Sequence, residues 1–361
     1  MNIIDKKKNT DQEIYEKLQK NTLPLYIWGI GNVASEVYGR LRERNITIKG
    51  CFVDTKIDRE ASFYGYPVKK LETVLQEEKE IAVIMGHAQY HKMTELDNYG
   101  QIKAVFYLSN PFKNHEDISY DFYCAHKGEY QKIYELFQEE YSKDVMEAFL
   151  NARINGDIET LLKTFKGVNT FFKNEIFTLG KDETYIDIGA YNGDTLRKFC
   201  EAVDFSYNKI YAFEPDMKFY RQMEEYIAEK KLKNVSCFPI GLWNEKTVLT
   251  FAKDQQQSGH VAIEEQGLAE RIEVDTLDNV LGLGECECTL IKLNILVGGS
   301  ECLEGARKII QNYHPKIVST VGITREQLLR IPLVLKEIAP EYKLYLRFNE
   351  SMPSRLTLYA V

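Results

Sequence analysis

The chain has 361 residues, 44% of them hydrophobic and 28% charged, with a formal net charge of -8. That length suits two domains better than one, and the apolar fraction can fill sizeable cores. The acidic balance gains nothing from counterion release, which argues against a nucleic-acid partner, and no apolar run approaches the ~20 residues that span a bilayer. Lys6-Lys7-Lys8 reads as part of a solvated tail; with no apolar segment after it, it is not a signal peptide. The 7 cysteines are scattered, and Cys286 with Cys288 has no second pair at zinc spacing. Reduced thiols in a cytoplasmic protein without zinc are therefore expected.

The first strand–turn–helix unit is Leu25-Tyr26-Ile27-Trp28 running into Gly29-Ile30-Gly31-Asn32-Val33-Ala34. A second strand over 48–53 ends at Asp54, about 25 residues beyond the first glycine. Short apolar runs at 80–85 and 105–108 read as further buried strands, and Pro111 closes a Rossmann-like domain over 1–112. Gly29, Gly31 and Asn32 at the helix start suit a phosphate, and Asp54 suits a ribose or base. A nucleotide or nucleotide-sugar is one reading; a domain kept for packing alone is the other. The domain resembles the small sugar-nucleotide-binding domains that precede some acyltransferases of cell-surface glycan synthesis, and Gly65-Tyr66-Pro67-Val68 adds to that likeness. His87 and His91 are spaced for one helical face, but lack a third metal ligand. They read as solvated residues at a helix start, with a phosphate contact from the Gly86-His87 turn as the functional alternative.

A helical connector is expected over 113–175. Tyr130, Ile133, Tyr134, Phe137, Tyr141, Val145, Phe149 and Leu150 recur at helical spacing, and a short helix over 158–165 follows the Asn155-Gly156-Asp157 turn. The connector is expected to pack on the second domain or on a partner protomer in a homodimer. The domain over 176–361 then alternates. Strands are expected at 185–188, 209–213, 235–240, 247–251, 290–293, 316–321, 344–347 and 357–360, and helices near 195–200, 218–230, 302–312 and 325–338.

The most informative stretch is Asp187-Ile188-Gly189-Ala190-Tyr191-Asn192-Gly193-Asp194-Thr195. Its glycines let the backbone turn tightly from strand to helix and approach a ligand. Asp187 places a carboxylate at the strand's end, suited to a cationic amino group and unsuited to pyrophosphate. The next strand ends in Glu214-Pro215, at the spacing where an acid reaches ribose hydroxyls. Asp216 and Met217 are placed to flank an adenine, and the Gly241-Leu242-Trp243 turn borders the same crevice. A nucleoside carrying positive charge, S-adenosylmethionine (SAM), fits this set.

Over roughly 170–361 the sequence resembles the FkbM family of SAM-dependent methyltransferases. Besides the two motifs above, the likeness rests on Thr276-Leu277-Asp278, Ile291-Lys292-Leu293, Leu303-Glu304-Gly305-Ala306, His314-Pro315-Lys316, Ile331-Pro332 and Leu358-Tyr359-Ala360-Val361. The resemblance implies an α/β chain whose C-terminal half is a seven-stranded SAM methyltransferase fold, and O-methylation of a hydroxyl on a sugar, a glycan or another small molecule. The acceptor half departs from the family. Its usual Asp-Ile-Glu-Gly-Ala/Ser-Glu reads Asn294-Ile295-Leu296-Val297-Gly298-Gly299 here, a Tyr-His pair falls on Gly322-Ile323, and a histidine falls on Phe348. Those changes remove the ligands of a divalent metal, so none is expected. Asn294, and His260 in the loop after Ser258-Gly259, are left as the candidate catalytic residues. Two readings follow: a methyltransferase with an altered acceptor site, and a SAM-binding pseudoenzyme or scaffold of glycan biosynthesis.

Overall fold

A computed structural model describes residues 1, 3, 10–54, 61–109, 118–167, 171–252, 260–261, 269–282, 284, 286–349 and 351–361. The chain forms two compact units. The first takes in 1–126, 144–166 and 350–355; the second takes in 127–143, 167–349 and 356–361. The stretch expected as a connector is helical at Lys127–Leu136, Glu140–Asn155 and Ile158–Lys163, and is shared between the two. Among the described residues no helix is long and apolar enough to cross a membrane.

The first unit holds β1 (Leu25–Trp28), β2 (Gly50–Val53), β3 (Ser62–Phe63), β4 (Tyr66–Lys70), β5 (Ile81–Met85) and β6 (Ile102–Phe106). Their order is β3-β4-β2-β1-β5-β6, parallel except for the β3–β4 pair. β1, β2 and β5 are buried throughout, as continuous apolar runs in a parallel sheet must be. Helix Asn32–Glu43 buries Val33, Ala34, Val37 and Leu41, one apolar stripe at helical spacing, against Ile27, Cys51 and Ile84. The chain leaves β1 toward β2 and returns through β5 on the other side, so strand order reverses at β1 and β5.

The second unit holds β7 (Thr184–Ile188), β8 (Lys209–Phe213), β9 (Val235–Phe238), β10 (Gly241–Leu242), β11 (Thr247–Ala252), β12 (His260–Val261), β13 (Ala269–Asp275), β14 (Leu290–Leu293), β15 (Lys316–Val321), β16 (Leu344–Arg347) and β17 (Leu356–Ala360). Seven of them form the main sheet, in the order β16-β17-β15-β14-β7-β8-β9. All its pairs are parallel except those that β17 makes with β15 and β16. This is the expected mixed α/β, seven-stranded architecture.

Two local expectations needed revision. The strand expected at 247–251 belongs to a separate four-stranded sheet, β10-β13-β11-β12, whose β13 the sequence reading passed over. The single helix expected at 302–312 is two, Gly299–Glu304 and Arg307–Tyr313. The break falls at Gly305, where a Cβ would run into the backbone carbonyl of Trp243.

Candidate functional site

The glycine turn after β7 is held from both sides. Gly189, Tyr191 and Gly193 all adopt positive φ, at 72°, 51° and 80°. A Cβ on Gly189 would stand 2.6 Å from Asn294 O and 2.7 Å from Ile295 Cγ2, so the turn approaches the segment after β14 as closely as only glycine allows. The amides of Gly189 and Ala190 both donate to Phe213 O, at 3.1 and 3.0 Å, which ties the turn to the tip of β8. Helix Asp194–Ala202 starts from Gly193. Within its first turn Asp194 Oδ1 accepts the amide of Thr195 at 2.9 Å.

Glu214 stands at that β8 tip. It is 8% exposed. One carboxylate oxygen accepts the Tyr191 amide at 2.8 Å and the other the Asp216 amide at 2.9 Å. Burial raises its pKa above the usual carboxylate range, against the opposing pull of those two amides. Each oxygen keeps a second lone-pair direction for a hydroxyl donor. After Pro215, Asp216 caps helix Met217–Lys230 by accepting the amides of Lys218 and Phe219 at 2.8 and 3.4 Å. Met217 is 46% exposed. The Tyr191 ring lies 4.0 Å from that of Phe219.

Asp187 does not wait for a ligand's cation. It is fully buried, and its cation is Lys292, directly opposite in the β7–β14 register and 2.8 Å away. The other carboxylate oxygen accepts Thr195 Oγ1 at 2.8 Å. Lys292 Nζ also donates to Gly189 O at 2.7 Å and to Ile188 O at 3.3 Å. The Asp187 charge, expected to meet a ligand's cation, is thus neutralised inside the fold, and Asp187, Lys292 and Thr195 brace the strand end from which the glycine turn springs. A lysine in the middle of the apolar run Leu290-Ile291-Lys292-Leu293 was the available signal.

On the acceptor side, Gln327 was also missed, because a glutamine opening a helix looks like any surface residue. It is 6% exposed. Its carbonyl oxygen accepts the amides of Ile323 and Thr324, and its side-chain nitrogen donates to Ile295 O and Leu296 O at 3.0 and 3.1 Å. One side chain thus staples the loop after β14 to the loop after β15. Gln327→Leu leaves the buried Ile323 amide without this partner, at about 1–3 kcal/mol, together with three part-buried backbone groups; a urea unfolding free energy lowered by at least that amount is expected, and an unchanged one would show that the loops rest on other contacts.

Trp243 reaches the same region. Its amide donates to Asp275 O at 2.9 Å, and its ring covers Gly298 so closely that a Cβ there would overlap it. The preceding Gly241 and Leu242 pair with Val274 and Asp275. Asn294 follows β14, its amide on Ile188 O at 3.2 Å. Gly299 begins a helix and is buried against Ile331. Ile323 is 5% exposed and Phe348 1%. Leu296 is partly buried. His260 lies in β12, paired with Ala252, rather than in a loop, while Ser258 and Gly259 fall outside the described residues. Among the described residues no group of three or more His, Cys, Asp and Glu could hold a metal ion, and all seven cysteines are free.

In the first unit, Gly29 has φ +119°, with Gly86 O only 2.6 Å from where its Cβ would be. Gly31 precedes helix Asn32–Glu43, which begins at Asn32, and Asp54 pairs with Lys92 at the end of β2. The two histidines do not share a helical face. His87 precedes the 3₁₀ turn Tyr90–Asn98 and lies edge-on to Trp28, whereas His91 stacks on Phe165 and meets Ser351 Oγ at 2.6 Å.

No family model matches the chain, and no curated protein does. Among solved structures it is similar to methyltransferase FkbM from Methylobacillus flagellatus, at 15% identity over 96% of this chain and 93% of that one, with a TM-score of 0.64. Half of the chain also aligns with an rRNA methylase from Streptococcus thermophilus, at 12% identity, 50% of this chain, 87% of that one and a TM-score of 0.32. A precorrin-6y C5,15-methyltransferase from Geobacter metallireducens aligns at 12% identity, 51% of this chain, 81% of that one and a TM-score of 0.33. At such identities a likeness speaks for fold alone. The first match, spanning nearly all of both chains, carries that conclusion, and the other two add nothing to it.

Proposed function

We propose that the chain is a SAM-dependent methyltransferase that methylates a hydroxyl of a small-molecule acceptor, a sugar or glycan being the expected class. The observation that carries this reading is Glu214, a buried carboxylate at the tip of β8 that already grips the glycine turn through the Tyr191 amide. Its remaining acceptor capacity fits the two hydroxyls of an unphosphorylated ribose. The residues present fit the nucleoside half of SAM in this way, and the seven-stranded fold agrees with it.

When bound, SAM supplies a methyl group already activated on a sulfonium. The chain's share of the work is positioning, which can contribute ~7–11 kcal/mol toward a barrier. Glu214 would hold the ribose, the Asp187–Lys292–Thr195 brace would fix the turn, and Gln327 with Trp243 would fix the loops on the acceptor side. At Asn294, Leu296, Gly299, Ile323 and Phe348 the sequence offers neither carboxylate nor imidazole. A missing general base costs roughly 10²–10⁴-fold. Within the expected class the more acidic hydroxyls are therefore the best acceptors. Radiolabelled methyl transfer to a panel of sugars, glycans and phenols, run beside calorimetry of SAM, tests this. Incorporation into a hydroxyl is expected. Absence of SAM binding would overturn the cofactor assignment, and binding without turnover on any acceptor would overturn the catalytic one.

A further inference from the structure

The first unit contains a polar cluster that its own packing leaves unsatisfied. Trp28 ends β1 and is 2% exposed, yet among the described residues its Nε1 has no hydrogen-bond partner. His87, two residues beyond β5, likewise has a buried Nε2 without a partner among the described residues. The two rings meet edge to face, 4.5 Å between centroids. His87 Nδ1 accepts the amide of Gln89 at 3.1 Å. In the neutral ring the proton must then sit on Nε2, which makes that atom a donor. Burial lowers the His87 pKa to about 4, so the ring is neutral near pH 7.

Two N–H donors without a partner among the described residues therefore belong to rings in contact, each at a cost of about 1–3 kcal/mol. They lie at the ends of β1 and β5, where strand order reverses and parallel sheets receive ligands. The turn Gly29-Ile30-Gly31 borders them, with His87 Cβ 3.3 Å from where a Gly29 Cβ would be. At Gly31 an added Cβ would meet nothing within 4 Å among the described residues, which leave the turn open on that side. Asp54 and Lys92 form an ion pair at the adjoining tip of β2. Burial would raise the Asp54 pKa, but the Lys92 hydrogen bond and charge outweigh it and hold the carboxylate ionised.

Two neutral donors and an ammonium call for an acceptor-rich anion, and a carboxylate beside them calls for hydroxyls. We propose that this crevice binds a phosphate ester of a hydroxylated sugar, its phosphate taken by Trp28 Nε1, His87 Nε2 and Lys92 and its hydroxyls by Asp54. A nucleotide and a simple sugar phosphate share that chemistry. This site is independent of the crevice in the second unit, and its test does not involve methyl transfer.

The full chain has 2 tryptophans, hence two indole N–H signals in a proton–nitrogen correlation spectrum, and Trp28→Phe assigns them. The probes are ribose 5-phosphate, ADP, UDP and inorganic phosphate. The Trp28 indole signal is expected to move saturably with at least one ester while that of Trp243 stays. In calorimetry, His87→Ala should weaken the ester by about tenfold or more. Asp54→Asn should weaken the esters and leave inorganic phosphate unchanged. Tighter binding of ADP or UDP than of ribose 5-phosphate identifies a nucleotide; equal binding identifies a sugar phosphate. A Trp28 signal that ignores all four probes overturns the proposal without recourse to any variant, and so does ester binding indifferent to both His87→Ala and Asp54→Asn.

Discussion

Lys292→Met is expected to destabilise the second unit by about 3–5 kcal/mol, the usual cost of removing one partner of a buried ion pair. The expectation follows from exposure: the side chains of Lys292 and Asp187 are 1% and 0% accessible, so water cannot replace the lost ammonium. Methionine keeps the length and packing of the stem while deleting the charge. The orphaned carboxylate would retain Thr195 Oγ1 but no cation in its place, and the carbonyls of Ile188 and Gly189 would lose a donor. Urea unfolding measures the loss. The double variant Asp187→Asn with Lys292→Met should recover much of it, because replacing a whole buried pair is far cheaper than halving one. A single variant as stable as the parent would mean that the pair is not buried in solution, and the bracing role would fall with it.

Glu214→Ala is expected to lower SAM affinity by at least about 100-fold, on the order of 2.8 kcal/mol. It removes the acceptor proposed for the ribose hydroxyls and also frees the part-buried amides of Tyr191 and Asp216. Calorimetry at neutral pH reads the effect, with circular dichroism to confirm that the fold survives. An undiminished affinity would remove the carboxylate from the cofactor site. The parent protein should also show a pH signature. Because burial raises the Glu214 pKa, the ionised acceptor is lost at a higher pH than for an ordinary glutamate near ~4.3. Affinity should be full above that raised value and decline as pH falls through it. For stability the sign is opposite. A group whose folded pKa is raised contributes stability that is complete below its unfolded pKa and fades as pH climbs through the folded one. The two slopes can therefore be separated by measuring binding and unfolding on one pH series.

Much of the architecture was legible because apolar runs carry their own lengths. β7, β8, β14, β15 and β16 lie within a residue or so of where the runs predict them. The glycine turn and Glu214 were legible too, since a tight turn and an acid at a fixed distance leave marks in sequence. What was not legible depends on partners far along the chain. Asp187 alone looks like a ligand for a cation; only the register with Lys292, 105 residues away, shows where its charge goes. Gln327 gains its role from carbonyls 31 and 32 residues upstream. β13 had a visible alternation, Arg271-Ile272-Glu273-Val274, yet its sheet is a second layer that the βα rhythm of the domain gave no reason to expect.

The position of β17 sets an order of events for the nascent chain. It follows every other strand of its sheet in sequence, but it occupies an interior slot, pairing with β15 on one side and β16 on the other. Until Leu356–Ala360 leaves the ribosome, β15 must wait with an unsatisfied flank and β16 has no neighbour in the sheet. All five of those residues are buried. The main sheet is thus completed by insertion rather than by addition at a rim, which couples its closure to a contact made late along the sequence. A chain lacking Leu356–Ala360 would leave β15 with an open flank and β16 without a sheet partner, the state that invites self-association.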